Sequence, residues 1–211
     1  MLSLLRTLAL KRTSWLLIAS CAVFLVVFAH AVFQKWLFME PCEQCVYIRF
    51  AFVLVALGTL IVAVNPKSFW LAGPGIVTTL CGSFYGLTCS LQLSRIHAAM
   101  HNSDAEALFG LTGCSTTTHY PLDLPLDVWF PDWFAASGEC GIDVPVVPPG
   151  TVLSNFQSFW IELYNEAGGW YLIPTEHWLN MAQCCAIFSV LFALVTAAFG
   201  VGLVLSTLNR A

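Results

Sequence analysis

The sequence predicts an all-α membrane protein, a four-transmembrane-helix bundle with a large outer loop that carries an amphipathic helix. Of its 211 residues, 58% are hydrophobic and only 9% are charged, whereas soluble domains carry roughly 25% charged residues. The apolar residues also form four long runs, and a helix needs roughly 20 mostly apolar residues to cross a bilayer. The formal net charge is −4 and no basic cluster is present, so the composition argues against a nucleic-acid partner.

The four predicted spans belong to a single membrane domain that covers residues 1–211. The first span follows a short basic segment and includes Ala29-His30-Ala31, which resembles a signal-peptidase site. Because the apolar run continues beyond this site, we interpret the segment as a retained helix, with cleavage as the alternative. The third span is rich in Gly, Ser and Thr, which allow helices to pack closely. The spans are about residues 15–38, 46–64, 69–93 and 178–205.

The distribution of positive charge orients these spans. Basic residues lie at both ends of the chain and in the turn between the second and third spans, so these parts are predicted to be cytoplasmic. The loops at 39–45 and at about 97–177 then face the other side, which in a bacterium is the oxidising periplasm. The longer loop has ten acidic residues and no Lys or Arg. The orienting residues are Arg6, Lys11, Arg12, Lys67 and Arg210.

The periplasmic loop contains one segment with helical periodicity, residues 152–164. Apolar residues recur there at helical spacing and polar residues occupy the opposite face, which predicts an amphipathic helix. Two placements fit this pattern, one on the membrane surface and one packed against the bundle or a partner. The predicted apolar face consists of Val152, Leu153, Phe156, Trp160, Leu163 and Tyr164.

A Cys-x-x-Cys motif, Cys42 to Cys45, stands where the second span begins. Pro41 disfavours helix upstream, so a helix can start near the cysteines, and a helix N-terminus favours a thiolate over a thiol. Arg49 lies one helical turn after Cys45 on the same face. A charged residue inside a span indicates a functional site. The alternative is an arginine whose charge reaches the interface beside two inert cysteines.

Four cysteines lie on the outer side, and four cysteines allow three disulfide pairings. One interpretation is two structural disulfides. The other is a relay, in which a loop disulfide exchanges with an outside protein and a disulfide at the membrane face reoxidises it. The electrons then need a lipid-soluble acceptor, for which a quinone is suited. We predict no metal site, because a zinc site is disfavoured in an oxidising compartment. The four residues are Cys42, Cys45, Cys114 and Cys140.

Several features recur along nearly the whole chain: the basic N-terminus, Trp-Leu-Leu at 15–17, Pro-Cys-x-x-Cys at 41–45, Tyr47, Arg49, four spans and two Gly-flanked loop cysteines. Together they resemble the DsbB family of inner-membrane disulfide-bond-forming proteins, and within it they are most similar to the DsbI branch. This resemblance implies an enzyme, a quinone-dependent protein-disulfide oxidoreductase of the bacterial inner membrane with both termini cytoplasmic. It would reoxidise a periplasmic thioredoxin-fold protein of the DsbA or DsbL type and pass electrons to ubiquinone or menaquinone.

The resemblance also implies a role for each outer cysteine. Cys114 would form the mixed disulfide with the partner protein. Cys140 would pair with Cys114 at rest, and with Cys42 during the relay. Cys42 and Cys45 would form the disulfide that faces the quinone.

The quinone site implied by the resemblance includes Cys45, in contact with the quinone, and Arg49. The family also has a histidine near the outer end of the third span. Both His97 and His101 lie in that region. The sequence does not distinguish between them, so neither is assigned.

Two alternative functions fit part of the sequence. A quinone-epoxide reductase of the VKOR type also places Cys-x-x-Cys beside a quinone, but usually on a late helix, whereas here the motif opens the second span. A non-catalytic, tetraspanin-like adaptor with structural disulfides would need a Cys-Cys-Gly element in its loop. The only Cys-Cys pair, Cys184-Cys185, lies in the fourth predicted span.

Overall fold

The computed structural model describes residues 2–101, 114–115 and 117–208. Four helices in the described residues are long and apolar enough to cross a membrane, which confirms the prediction of an all-α membrane protein with four spans. The first of them changes from α-helix to π-helix partway along its length. The long helices are α2 (Arg12–Phe28, continued by the π-helix Ala29–Trp36), α3 (Glu43–Val64), α4 (Phe69–His101) and α8 (Met181–Leu208), and a short helix α1 (Leu2–Ala9) precedes them.

The long loop between α4 and α8 contains short helices and a two-stranded antiparallel sheet. In the sheet, Tyr171 pairs with Asn180 and Ile173 pairs with Trp178. In order, the elements are a 3-10 turn (Pro121–Asp123), α5 (Leu126–Trp129), α6 (Pro131–Phe134), α7 (Asn155–Glu166), β1 (Tyr171–Ile173), a second 3-10 turn (Pro174–Glu176) and β2 (Trp178–Asn180).

Two helix boundaries differ from the expected span ends. The fourth span was expected from residue 178, but Trp178–Asn180 is a strand and α8 begins at Met181. Asn180 caps this helix, because its Oδ1 accepts the N–H of Gln183 at 2.9 Å while the Gln183 Oε1 accepts the N–H of Asn180 at 3.1 Å. At the other boundary, α4 continues past residue 93 to His101, since apolar residues such as Ile96 remain buried there.

A helix forms in the segment predicted to be amphipathic, and its inward face overlaps the expected one in part. Helix α7 begins after Ser154, whose side chain accepts the N–H of Gln157 at 3.2 Å. Val152 precedes the helix and is 94% exposed, and Phe156 is 65% exposed. The face that packs inward is centred on Tyr164, which the expected face included, and on Ile161, which it did not. Leu153 and Trp160 of the expected face also pack against this core.

One of two compact units consists of residues up to Val26, Phe50–Leu87 and the chain from Ile187. Trp15 lies in its core, where it contacts Phe199 edge-on and donates its indole N–H to the Ala9 carbonyl at 2.8 Å. Helices α3 and α4 touch closely, as the small residues of the third span predict, since a Cβ on Gly75 would lie 2.6 Å from the Gly58 carbonyl oxygen. The buried core residues are Ala9, Trp15, Val62, Ala63, Ala72, Phe199 and Leu203.

The second unit consists of Val27–Arg49 and Thr88–Ala186. It contains the π-helix, the first turns of α3 and the described part of the long loop, and therefore all four outer cysteines. Its apolar core is formed where α7 packs against the chain that follows the π-helix. The buried core residues are Leu37, Met39, Ile161, Tyr164 and Trp170.

Candidate functional site

The four outer cysteines form two disulfides. Cys42 is bonded to Cys45, with their Cα atoms 5.0 Å apart, and Cys114 is bonded to Cys140, with their Cα atoms 5.8 Å apart. Of the three pairings that the sequence allows, the structure therefore adopts the one that the family resemblance implies. The other five cysteines lie within the long helices: Cys21, Cys81, Cys89, Cys184 and Cys185.

The first disulfide closes the N-terminus of α3. The sulfur of Cys42 accepts the backbone N–H of Cys45 at 3.2 Å, one of the N–H groups that a helix start leaves without an intrahelical partner. The same N–H and the helix dipole would stabilise a Cys42 thiolate once the disulfide is reduced. Cys42 is 1% exposed, whereas Cys45 is partly exposed. Cys45 is therefore the more accessible sulfur of this pair.

The second disulfide has one exposed and one buried cysteine. Cys140 is 4% exposed, and its N–H lies 2.8 Å from the sulfur of Cys114, which is exposed. Gly141 follows with a φ of +80°, and a Cβ there would lie 3.3 Å from the Cα of His97. A thiolate from outside can therefore reach Cys114 more readily than Cys140.

The chain segments beside the two cysteines of the loop disulfide are hydrogen-bonded to both chain neighbours of Cys42. On the Cys140 side, the N–H groups of Ser137 and Gly138 donate to the Pro41 carbonyl at 3.0 and 3.1 Å. On the Cys114 side, the N–H of Ser115 donates to the Glu43 carboxylate at 2.7 Å. Glycine is needed at 138, because a Cβ there would lie 2.5 Å from the Glu40 carbonyl oxygen. These contacts hold the loop disulfide beside the Cys-x-x-Cys motif.

Arg49 is buried, and neutral oxygen atoms accept its hydrogen bonds. Its guanidinium donates to the Gln34 Oε1 at 2.7 Å, to the Trp133 carbonyl at 3.0 Å and to the Ala29 carbonyl at 3.5 Å. No carboxylate in the described part of the chain lies within 4.0 Å of its nitrogens. A buried cation without an ion-pair partner is costly, so the site favours an anionic or electron-rich ligand.

The π-helix supplies residues around Arg49 that the sequence reasoning missed. The His30 ring stacks on Trp133 with the centroids 3.9 Å apart, and its Nδ1 lies 3.2 Å from the Gln34 Oε1. The signal was present in the sequence, since His30 and Gln34 are polar residues four apart in a mostly apolar span. Local π-helix is frequently found at functional sites.

Asp132 connects this cluster to the end of the π-helix. Its carboxylate pairs with Lys35 and lies 3.4 Å from the His30 Nε2. The hydrogen bond from Lys35 holds the pKa of Asp132 below its ordinary value. Its contacts with Lys35 and His30 hold the start of α6 against the π-helix.

The structure distinguishes the two histidines of α4. The amide nitrogen of Asn180 lies 3.3 Å from the His97 Nδ1. An amide NH₂ can only donate, so Nδ1 accepts and the ring proton lies on Nε2. This Nε2 is buried and has no hydrogen-bond partner among the described residues. His101 is exposed, and its Nε2 lies 3.3 Å from the Gly168 carbonyl oxygen. His97 is therefore the one with an unused buried donor.

Asp143, shortly after Cys140, is a buried carboxylate. Burial raises its pKa from the ordinary 3.8 to about 6, while the charge of His101 acts in the opposite direction. The pKa of Asp143 is therefore higher in the folded than in the unfolded chain, so protonation of this group stabilises the fold. The stabilisation is complete below pH 3.8 and is lost as the pH rises through about 6. Folding therefore becomes less favourable between these pH values.

We expect Asp143→Asn to remove most of this pH dependence. The wild-type protein should lose about 1 kcal/mol of its unfolding free energy between pH 5 and pH 8 through this group, and the variant should lose much less. Thermal unfolding in detergent, followed by tryptophan fluorescence at both pH values, measures the difference. The exposed Glu162→Gln serves as the control. A variant with the wild-type pH dependence would show that burial of Asp143 does not set it.

Comparison with known proteins identifies the family. The family model described as Disulfide bond formation protein DsbB matches residues 11–199. The chain belongs to the DsbB family. One relative, Protein-disulfide oxidoreductase DsbI of Escherichia coli O1:K1 / APEC, is 46% identical over 195 residues, which cover 92% of this chain and 83% of the relative. The protein of the same name from Salmonella typhimurium (strain LT2) is 45% identical over 177 residues, which cover 84% of this chain and 79% of the relative.

Membership of the DsbB family confirms the resemblance found in the sequence. Together with the four apolar helices, it makes the chain a multi-pass inner-membrane protein and a membrane protein-disulfide oxidoreductase. It favours this function over the VKOR-type and adaptor alternatives. The roles of single cysteines and of Arg49 within the DsbB-type reaction stay predictions.

Proposed function

We propose that this protein reoxidises a periplasmic thioredoxin-fold protein of the DsbA or DsbL type and passes the electrons to membrane quinone. One observation supports the proposal above the others. Hydrogen bonds from both sides of the Cys114–Cys140 disulfide end on Pro41 and Glu43, the two chain neighbours of Cys42. Such a placement suits exchange between the two disulfides, which needs a thiolate aligned on a sulfur.

In the first exchange, a thiolate of the reduced partner attacks the exposed Cys114. The Cys114–Cys140 bond breaks, a mixed disulfide forms and Cys140 leaves as a thiolate. The second partner thiolate then attacks the partner's own sulfur in the mixed disulfide and releases Cys114. Two electrons have entered the loop pair, and the partner holds a disulfide.

In the second exchange, the Cys140 thiolate attacks Cys42 and Cys45 leaves as a thiolate. Attack by Cys114 on Cys140 then restores the loop disulfide and releases Cys42, whose thiolate is stabilised by the N–H of Cys45. The two electrons now lie on Cys42 and Cys45. The partner has been oxidised with no net change in the loop pair.

Arg49, His97 and Cys45 are the residues that we expect to hold a quinone, which when bound would accept two electrons and two protons. Arg49 would hold one quinone oxygen, because its buried charge lacks a carboxylate partner among the described residues. His97 would donate from Nε2, a buried N–H with no partner in the described chain. Cys45, the more accessible sulfur of its pair, would face the quinone. The donor set does not distinguish ubiquinone from menaquinone.

The orientation completes the proposal. Basic residues at both ends of the chain favour cytoplasmic termini, with the chain forming a single membrane domain of residues 1–211. Both disulfides would then lie on the periplasmic side. The long loop has ten acidic residues and no Lys or Arg, so a basic face on the partner would complement it.

The proposal is tested by quinone reduction with the purified protein. Reduced DsbA-like or DsbL-like protein serves as donor, ubiquinone or menaquinone as acceptor, and quinone absorbance is followed. We expect one quinone to be reduced for each donor dithiol oxidised. A donor with alkylated active-site cysteines is the matched control. An absence of turnover with any such donor, while both disulfides are intact, would contradict the proposal.

A further inference from the structure

Glu43 is a buried carboxylate inside the Cys-x-x-Cys motif, and neither of the two thiol exchanges described above involves it. It is 7% exposed, and each of its oxygens accepts a hydrogen bond. Oε1 accepts from the Tyr47 hydroxyl at 2.9 Å, and Oε2 accepts from the N–H of Ser115 at 2.7 Å. Ser115 directly follows Cys114, so this carboxylate joins the first turn of α3 to the exposed arm of the loop disulfide.

Tyr47 extends this connection along the loop. Its hydroxyl accepts the N–H of His119 at 2.7 Å while donating to Glu43. Its ring also packs edge-on against Tyr120, with the centroids 5.3 Å apart. Two backbone N–H groups of the segment after Cys114 therefore end on a carboxylate and a phenol of α3. We call Glu43, Tyr47 and the N–H groups of Ser115 and His119 the loop anchor.

The charge of Glu43 makes the anchor strong. No Lys, Arg or His nitrogen in the described residues lies within 4.0 Å of this carboxylate, so hydrogen-bond donors and the helix N-terminus must stabilise it. Hydrogen bonds to an ionised acceptor are roughly twice as strong as neutral ones. If the loop moved away, the buried carboxylate would lose the Ser115 N–H, and an under-satisfied buried charge is costly. An ionised Glu43 therefore opposes departure of the Cys114 arm.

We propose that Glu43 is a positioning residue that holds the loop disulfide beside Cys42, so that electrons entering at Cys114 pass on within the chain. The proposal rests on the relay described under Proposed function and adds to it the group that keeps the two disulfides together. Cys114 is exposed in the anchored loop, but without the anchor its arm moves more freely, so that outside thiols attack the loop disulfide faster and the arm meets Cys42 less often. Glu43 thus sets both the protection of the loop disulfide and the rate of internal transfer.

The first test measures protection of the loop disulfide in the full-length protein, with neither quinone nor a protein donor present. Glutathione is added, samples are alkylated over time, and mass spectrometry follows the summed labelling of both pairs, so that electrons already passed from the loop pair to Cys42 and Cys45 are counted. We expect Glu43→Ala to be reduced about tenfold faster than the wild type, the equivalent of one charge-assisted hydrogen bond. Glu43→Gln, which keeps an acceptor oxygen, should restore much of the protection. Glu40→Gln, an exposed neighbour of equal charge, should match the wild type.

The second test measures the rate at which electrons pass from the loop pair to Cys42 and Cys45. Glutathione first reduces the loop disulfide, and the transfer is then followed. We expect transfer in Glu43→Ala to slow by about tenfold. Tyr47→Phe removes only the hydroxyl. It should speed the reduction of the loop disulfide and slow the internal transfer, each by less than Glu43→Ala does, and it replaces that variant in both tests if Glu43→Ala does not insert. Wild-type protection, or wild-type transfer, in correctly inserted variants would overturn the proposal. Because protection is read without quinone or partner, its result stands even if quinone reduction fails.

Discussion

Cys42→Ser or Cys45→Ser is expected to abolish oxidation of the partner protein while leaving the protein inserted in the membrane. Each change removes one sulfur of the disulfide at the start of α3, so electrons that enter the loop pair have no disulfide to move to. Serine is close to cysteine in size, and the hydrogen bonds from Ser137 and Gly138 to Pro41 use backbone atoms only. The loop should therefore stay docked against the start of α3, and each variant should lose only the ability to accept electrons from the loop pair.

The measurement is the rate of disulfide formation in reduced partner protein added to membranes that contain each variant. Cys81→Ser is the matched control, because Cys81 is an exposed cysteine of α4 that takes part in neither disulfide. It should keep the wild-type rate. Normal turnover in Cys42→Ser or in Cys45→Ser would rule out the relay, whatever the rate in the control.

Arg49→Ala is expected to raise the apparent KM for quinone roughly 10- to 100-fold, the range set by a hydrogen bond to a charged group. The KM for the partner protein should change far less, because the Arg49 side chain contacts Gln34 and backbone carbonyls rather than the cysteine-bearing arms of the loop. The KM for quinone of Arg49→Lys should lie between those of the wild type and Arg49→Ala, since lysine keeps the charge and loses the planar fork of donors.

Steady-state kinetics with quinone and partner varied separately gives both constants. Arg95→Ala is the control, because Arg95 is an exposed cation of α4 and its loss changes the net charge equally. Arg49 also binds the Trp133 carbonyl, so the loop should be checked by alkylation of its cysteines. Equal increases in the two KM values would count against a quinone-binding role and for a general structural one.

The sequence predicted what depends on local pattern. Four apolar runs gave the four spans, and the Cys-x-x-Cys motif before an arginine indicated where the candidate site lies. A charged residue such as Arg49 in an apolar helix is costly wherever it packs, so its importance is visible without a structure. The sequence also predicted a helix over residues 152–164, where α7 forms, because helical periodicity is a local property.

The arrangement around the cysteines could not be predicted in this way. Glu43 and Ser115 are joined although they lie 72 positions apart in the sequence, and no local pattern links them. His30 likewise stacks on Trp133 from the long loop, a contact that no local pattern links. The inward face of α7 was predicted only in part for a similar reason, because Ile161, which the expected face lacked, packs with residues far away in sequence.

The most direct test of the relay locates the electrons after a single turnover. The fully oxidised protein is mixed with one equivalent of reduced partner in the absence of quinone, alkylated, and mapped by mass spectrometry. The relay predicts labelling of Cys42 and Cys45 as well as of the loop pair, and loss of the label from Cys42 and Cys45 when quinone is added before alkylation. Labelling confined to Cys114 and Cys140, unchanged by quinone, would contradict the account.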